Sequence, residues 1–369
     1  MRKYLVLALS SLIVMGCGSS MVDGDGVLKI GVIAPLSGNA AQYGEETQRI
    51  LAATLADINA NGGYNGSDVE LIFEDGKCSG SDAVTAFQKL VDIDGVDAII
   101  PFCSSESLAI APLTESVQML AVTGTSSNPE IEGASPYLFS FSYSDAVIGE
   151  AIVEQLDMFE KIAIISEQND YNIGLKNIME ENLEDKIVVS ETFEANTTDF
   201  RNSIEKLSNS GADAIFLNPF PGPNASNLAK QMSEDLSKFE GVQFVSQIAY
   251  LTDESRAGLD ELTSGMIVVD SPMINTQEAE DFYSLVETEY GSIGSLKGYL
   301  TLSLSDALTN LVNAANNSSD NSVSMHEYLT SNPLVGKLAD GIELNGKSFL
   351  PEITAAVFKI EDGKSVLQK

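Results

Sequence analysis

IGVIAPLSGNAAQYGEETQRILAATLADINANGG, residues 30–63, decides the fold. IGVIA is a near-continuous apolar run, as expected of a strand covered on both faces. A loop with Pro35 and Gly38 follows. Ile50, Leu51, Leu55 and Ile58 then fall near one face of a helix, and Gly62-Gly63 stop it. The alternation continues outward. VELIFED (69–75) reads as a strand and SGSDAVTAFQKLVDIDG (79–95) as a helix capped by Ser79 or Ser81. DAIIPF (97–102) is a strand, SLAIAPLTESV (107–117) a short helix and MLAVTG (119–124) another strand. Such alternation predicts a parallel sheet with helices on both faces.

The pattern restarts after residue 143. SDAVIGEAIVEQLDMF, YNIGLKNIMEENLED, FRNSIEKLSNSG and NASNLAKQMSEDL read as helices. KIAIIS, IVVSETF, AIFLNPF, VQFVSQIAY and GMIVVDS read as strands between them. Two more helices, QEAEDFYSLVETEYG and LKGYLTLSLSDALTNLVNAANN, precede a final strand and a turn at Asp362-Gly363. The fold class is α/β, with two doubly wound lobes.

The chain of 369 residues begins MRKYLVLALSSLIVMGC. Arg2 and Lys3 precede an apolar run too short to span a bilayer, so residues 1–16 read as a secretory signal. Val14-Met15-Gly16-Cys17 resembles the lipobox of bacterial lipoproteins, which implies lipidation at Cys17. Residues 17–26 form a polar linker. The expectation is an exported protein tethered by lipid. A formal charge of −34 repels phosphate backbones and argues against nucleic acid as a partner.

PFCSSES, residues 101–107, admits a nucleophile, a metal ligand, half of a disulfide or an anion cradle. With Cys17 lipidated, Cys78 and Cys103 remain, and two cysteines in an oxidising compartment suggest one disulfide. Catalysis through Cys103 or Ser104 would need the single histidine, His326, which reads as a surface residue of a helix. No cysteine–histidine cluster suits zinc, and neither DGDG (23–26) nor DIDG (92–95) carries a calcium-loop ligand run. GIELNGKS (341–348) matches the phosphate-loop pattern letter for letter, but β-like sequence and Pro351 follow it where a helix is needed. The expectations are no enzyme, no catalytic residue, no metal and no cofactor.

Residues 30–63 resemble the opening of the leucine/isoleucine/valine-binding proteins, type I extracytoplasmic solute-binding proteins of ABC importers. EDGKCSGSDAVTAFQKLVD, VDAIIPFCSSES, LAVTGTSSNPEI and KIAIISEQNDYNIGL resemble later segments of that family in order and spacing. The resemblance implies a Venus-flytrap fold with ligand in the cleft between the lobes. It divides the chain into lobe one, 27–143 plus 274–349, and lobe two, 144–273 plus 350–369. It implies a Cys78–Cys103 disulfide, which on the chain-entropy model stabilises by about 3–4 kcal/mol. Ser104 and Ser105 would meet a ligand carboxylate, and Thr125 and Ser127 would supply further carboxylate and ammonium contacts. Tyr43 would lie against the ligand side chain, and Tyr171 and Phe220 would close the cleft from lobe two. One departure stands out. The family's second-lobe acid, the partner of a ligand ammonium, is replaced by Gln247-Ile248-Ala249-Tyr250. Either another acid, such as Asp170, serves, or the ligand has no ammonium.

The resemblance implies delivery of an amino acid, aliphatic or branched-chain, to an ABC permease. A different carboxylate, aromatic or keto acid, is the alternative, as is a ligand-sensing module of the same fold.

Overall fold

A computed structural model describes residues 26–251, 255–272, 274–294, 296–318, 322–350 and 354–368. The signal segment, Cys17 and residues 17–25 of the linker lie outside these residues, as do positions 273 and 351–353 beside two expected crossovers. No described helix is long and apolar enough to cross a membrane.

The first sheet holds β1 (Lys29–Ala34), β2 (Glu70–Asp75), β3 (Ala98–Pro101), β4 (Ala121–Thr123) and β5 (Leu138–Ser140). They lie parallel in the order β2-β1-β3-β4-β5. The second holds β6 (Ile162–Glu167), β7 (Ile187–Phe193), β8 (Ala214–Asn218), β9 (Gln243–Ser246), β10 (Ile267–Asp270), β11 (Ala356–Glu361) and β12 (Lys364–Leu367). Its order is β12-β11-β10-β9-β8-β6-β7. The run β7-β6-β8-β9-β10 repeats the order of the first sheet, and β11 and β12 add an antiparallel edge. Both lobes are therefore doubly wound α/β units.

Alternate strand residues face opposite ways. In β1, Ile30 and Val32 join one core with Leu51, Phe282, Leu304 and Leu308. Ile33 joins the other with Phe87, Leu90 and Ile110. The helices Gln277–Glu289, Tyr299–Asn317 and Ser322–Ser331 thus return to the first sheet after β10, before β11 and β12 complete the second.

Three local results refine the sequence reading. Ser79 is the N-cap of Gly80–Lys89, accepting the Asp82 N–H at 3.5 Å. Asp362 and Gly363 both take positive φ, 50° and 73°, the conformation of a two-residue hairpin turn. The strand β5 has no counterpart in the sequence reading: Leu138–Ser140 lies in a serine-rich stretch, whereas the equally short β4 lies in the apolar run MLAVTG.

Candidate functional site

The loops after β1, β3 and β4 face those after β6, β8 and β9 across a cavity of about 370 Å³. Its size suits a small-molecule site, for which roughly 300–1,000 Å³ is usual. Tyr43, Ser104, Ser105, Thr125 and Ser127 line it from the first lobe, and Tyr171, Phe220 and Ile248 from the second. The structure therefore brings all eight sequence-selected positions to one wall-to-wall site. A second cavity of about 450 Å³ shares Tyr43 and Ile248.

The first-lobe wall is organised by PFCSSES. The helix there spans Ser104–Val117 and begins three residues before the expected start at Ser107. Glu106 explains the difference. As the third helical residue it accepts the Cys103 N–H at 2.8 Å and the Phe102 N–H at 3.1 Å, so the cap forms at Cys103. The N–H groups of Ser104 and Ser105, in the first turn, have no carbonyl one turn behind them. They lie at the positive end of the helix dipole and suit an anion.

Cys78 and Cys103 form a disulfide, their Cα atoms 5.2 Å apart. Glu106 also accepts the Cys78 N–H at 3.1 Å, so one carboxylate serves both ends of the bridge. Gly76 makes room for it: a Cβ there would meet Glu106 Oε1 at 2.2 Å. Burial pushes the Glu106 carboxyl up to about 8 against the pull of its three N–H donors. Glu106 and the two sulfurs lie close enough to suggest a metal cluster. Disulfide sulfurs are not thiolates, however, and make poor ligands.

The loop after β4 is tied to this helix. Ser104 Oγ accepts the N–H of Ser127 at 3.2 Å and of Asn128 at 3.3 Å. The Thr125 hydroxyl donates to the Phe102 carbonyl at 2.5 Å. With its proton so placed, Thr125 offers the cavity lone pairs, which suit a donor such as an ammonium.

The remaining lining is aromatic and comes from both lobes. The Tyr43 ring lies 5.8 Å from Phe220 and 6.2 Å from Phe102, and Tyr171 lies 6.2 Å from Phe220. Gln247, at the position of the expected acid, is held in place. Its Nε2 donates to the Pro219 carbonyl at 2.6 Å, and its Oε1 accepts from Ala249 N at 2.9 Å and Tyr171 Oη at 3.3 Å.

Asp170 is exposed and does not line the cavity. Three other acids surround the site. Glu167, at the end of β6, is 4% exposed, lines the cavity and accepts the Phe220 N–H at 2.9 Å. Asp270, at the end of β10, accepts from the Tyr143 hydroxyl at 3.1 Å, and burial pushes its carboxyl up to about 6. Asp145 is fully buried, with no well-formed hydrogen bond to either oxygen and the Ser127 hydroxyl beside it. Burial raises its carboxyl well above the usual range. Lys77 is the one cationic side chain among the lining residues, and Asp82 pairs with it at 3.0 Å.

Sequence reasoning overlooked Phe102, Glu167, Asn169 and the acids behind Tyr143. A polar residue ending an apolar strand run, as in KIAIISE and IVVD, was the available signal, since open α/β sheets place ligands at strand C-termini.

Two expectations are settled by geometry. His326 is half-buried rather than a surface residue, its ring 4.7 Å from Tyr137 and 5.8 Å from Phe139. It is not among the residues that line the cavity with Cys103 and Ser104. In 341–348, Asn345 and Gly346 form a turn, and the chain then enters a bridge from Phe349 to Ser140 rather than a helix. Among the described residues, no helix N-terminus follows to receive a phosphate.

A family model described as "Periplasmic binding protein" matches residues 27–363. An "Amino acid binding protein" of Pseudomonas aeruginosa is 30% identical over 72% of this chain and 72% of its own length. The Leu/Ile/Val-binding protein of Escherichia coli is 24% identical over 75% of this chain and 80% of its own. Among solved structures, a solute-binding protein of an ABC transporter from Rhodopseudomonas palustris, in complex with p-hydroxybenzoic acid, superposes with a TM-score of 0.78. That likeness covers 93% of this chain and 96% of the other at 19% identity, and it concerns the fold. The chain belongs to the periplasmic binding protein family.

Proposed function

We propose that this protein captures a small organic acid outside the cytoplasm and delivers it to an ABC permease. One observation carries the reading: first-turn amides, small hydroxyls and an aromatic wall from two lobes converge on one cavity, without a free cationic side chain among those lining it. Ser104 and Ser105 hold the ligand carboxylate, while Thr125 and Ser127 complete the polar contacts. Tyr43, Tyr171, Phe220 and Ile248 enclose the rest. No bond is made or broken; closure of the lobes buries the ligand. The lobes divide at residues 143, 273 and 349, and Cys17 carries a lipid anchor.

The ligand is an amino acid with an aliphatic side chain. The amino-acid and Leu/Ile/Val-binding relatives support this, and so do the Thr125 lone pairs and the Glu167 carboxylate in the wall. A second reading, an aromatic or keto acid, is favoured by Gln247 and Ile248 at the expected acid position and by the rings of Tyr43, Phe102 and Phe220. Calorimetry of the mature chain with L-leucine, L-valine, 2-ketoisocaproate and p-hydroxybenzoate separates them. Binding of the amino acids alone supports the first reading. Binding of the deaminated acids alone moves the assignment to the second, and no binding by any of the four overturns both.

A further inference from the structure

Asn128 is the point at which the polar cradle of the first lobe touches the second lobe. It sits just after Ser127 and is 3% exposed. Its backbone N–H donates to Ser104 Oγ at 3.3 Å. Its side chain is oriented by its own lobe, since Oδ1 accepts the Glu130 N–H at 2.8 Å. That bond leaves Nδ2 pointing away, where it donates to the Asp170 carbonyl at 2.6 Å, across the cleft. Asp170 opens the helix Asp170–Leu183, and the next residue is Tyr171, on the cavity wall.

The second lobe is shaped to receive this amide. Gly174 faces it one helical turn on, and a Cβ there would lie 2.9 Å from Asn128 Nδ2 and 3.3 Å from Cγ. Its φ is ordinary, so glycine is needed for space and not for backbone conformation. Another side-chain hydrogen bond across the cleft, Asn39 Nδ2 to the Ala195 carbonyl at 2.7 Å, is exposed to water. The Asn128 bond is the better protected, and an amide donor removed from water gains more from its acceptor.

We propose that Asn128 is a positioning residue that couples occupancy of the Ser104 cradle to lobe closure, with Gly174 as its receptor on the opposite lobe. The inference rests on the reading of the cavity as a ligand site. A ligand on Ser104 orders the loop 125–128, and the ordered Asn128 then meets Asp170 only when the lobes are closed. Neither Asn128 nor Gly174 lines the cavity, so neither has to touch the ligand.

The test uses the full mature chain, with L-leucine and p-hydroxybenzoate as probes. Asn128→Ala removes the donor, and Gly174→Ala obstructs the approach from the other lobe. Each variant should weaken binding of the bound probe by roughly 3- to 10-fold, the effect of one interdomain hydrogen bond. Solution scattering should show less compaction on adding the probe than in the wild type. Asn128→Asp, which replaces the donor with an acceptor facing the Asp170 carbonyl, should weaken binding at least as much as Asn128→Ala. Thermal midpoints of the unliganded variants separate coupling from a merely structural role. Coupling predicts that the loss appears mainly in the liganded protein. Unchanged affinity and compaction in both alanine variants overturn the inference while leaving the ligand site intact. So does a loss of stability that is equal with and without probe. Failure of both probes to bind the wild type removes the reading of the site, and the inference falls with it.

Discussion

The carboxylate of Glu106 accepts the backbone N–H of Cys78 at 3.1 Å although 28 positions separate them. The same group caps the helix that begins at Ser104, so loop, disulfide and helix N-terminus are held by one buried acid. Glu106→Gln keeps an acceptor but turns an amide NH₂ toward backbone donors. We expect a loss of about 1–3 kcal/mol near neutral pH or below, measured by urea unfolding.

The difference between wild type and that variant should depend on pH. The folded Glu106 carboxyl is pushed up to about 8, above its ordinary 4.5. A raised acid binds its proton more tightly in the folded state, so its contribution is complete below about 4.5 and is lost as pH rises through 8. Unfolding midpoints compared from pH 5 to 9 should show the wild-type advantage shrinking. A constant difference would place the Glu106 proton elsewhere.

Asp270 predicts a similar trend over a lower window. Burial lifts its carboxyl from 3.8 to about 6, so ionising it on the way to neutral pH weakens the fold. Asp270→Asn leaves an acceptor for the Tyr143 hydroxyl and should be more stable than wild type at pH 8, by an amount on the order of 1–3 kcal/mol. At pH 4 the gain should vanish. A variant destabilised at pH 8 but not at pH 4 would show that the carboxylate is needed in its ionised form.

Reduction of Cys78–Cys103 should lower stability by about 3 kcal/mol, from the freed 25-residue separation. Because the bridge fixes the segment before Ser104, ligand affinity should fall as well. Thermal unfolding and calorimetry with and without reductant provide the two readouts. Loss of stability with full affinity would mean that Glu106 alone suffices to place the cradle.

Ser104→Ala deprives the Ser127 and Asn128 N–H groups of their shared acceptor. We expect about 1–3 kcal/mol of destabilisation and at least a tenfold weaker affinity for the carboxylate ligand. Equal affinity in the variant would remove Ser104 from the site.

Glu167→Gln tests the ligand's charge. If an ammonium pairs with Glu167, amino-acid binding should weaken by roughly tenfold or more, as for other charge-assisted bonds. Binding of the matching 2-keto acid should hold or improve. Equal effects on both ligands would assign Glu167 to holding the Phe220 N–H alone.

The α/β alternation was legible because buried parallel strands such as IGVIA, KIAIIS and GMIVVD are apolar throughout, and glycines punctuate the helices between them. The cavity positions were legible because they follow strand C-termini in segments that resemble a known family. β5 escaped notice because its three residues lie among serines and not in an apolar run like that around β4. Asp145, Glu167 and Asp270 escaped because an acid in sequence shows neither its burial nor its neighbours. Asp170, selected as the substitute acid, turns its carbonyl toward Asn128 and remains exposed.

By itself, then, the sequence determined the class of most elements and the order in which strands and helices alternate, since both follow from local periodicity. The tertiary structure decided what the polar residues do. It set Glu106 beneath the disulfide, aimed Thr125 at Phe102, and brought Asn128 against Gly174 of the other lobe. These are contacts between segments far apart in the chain, and a hydroxyl or carboxylate takes its role from the partner within about 3 Å of it, which no local pattern records.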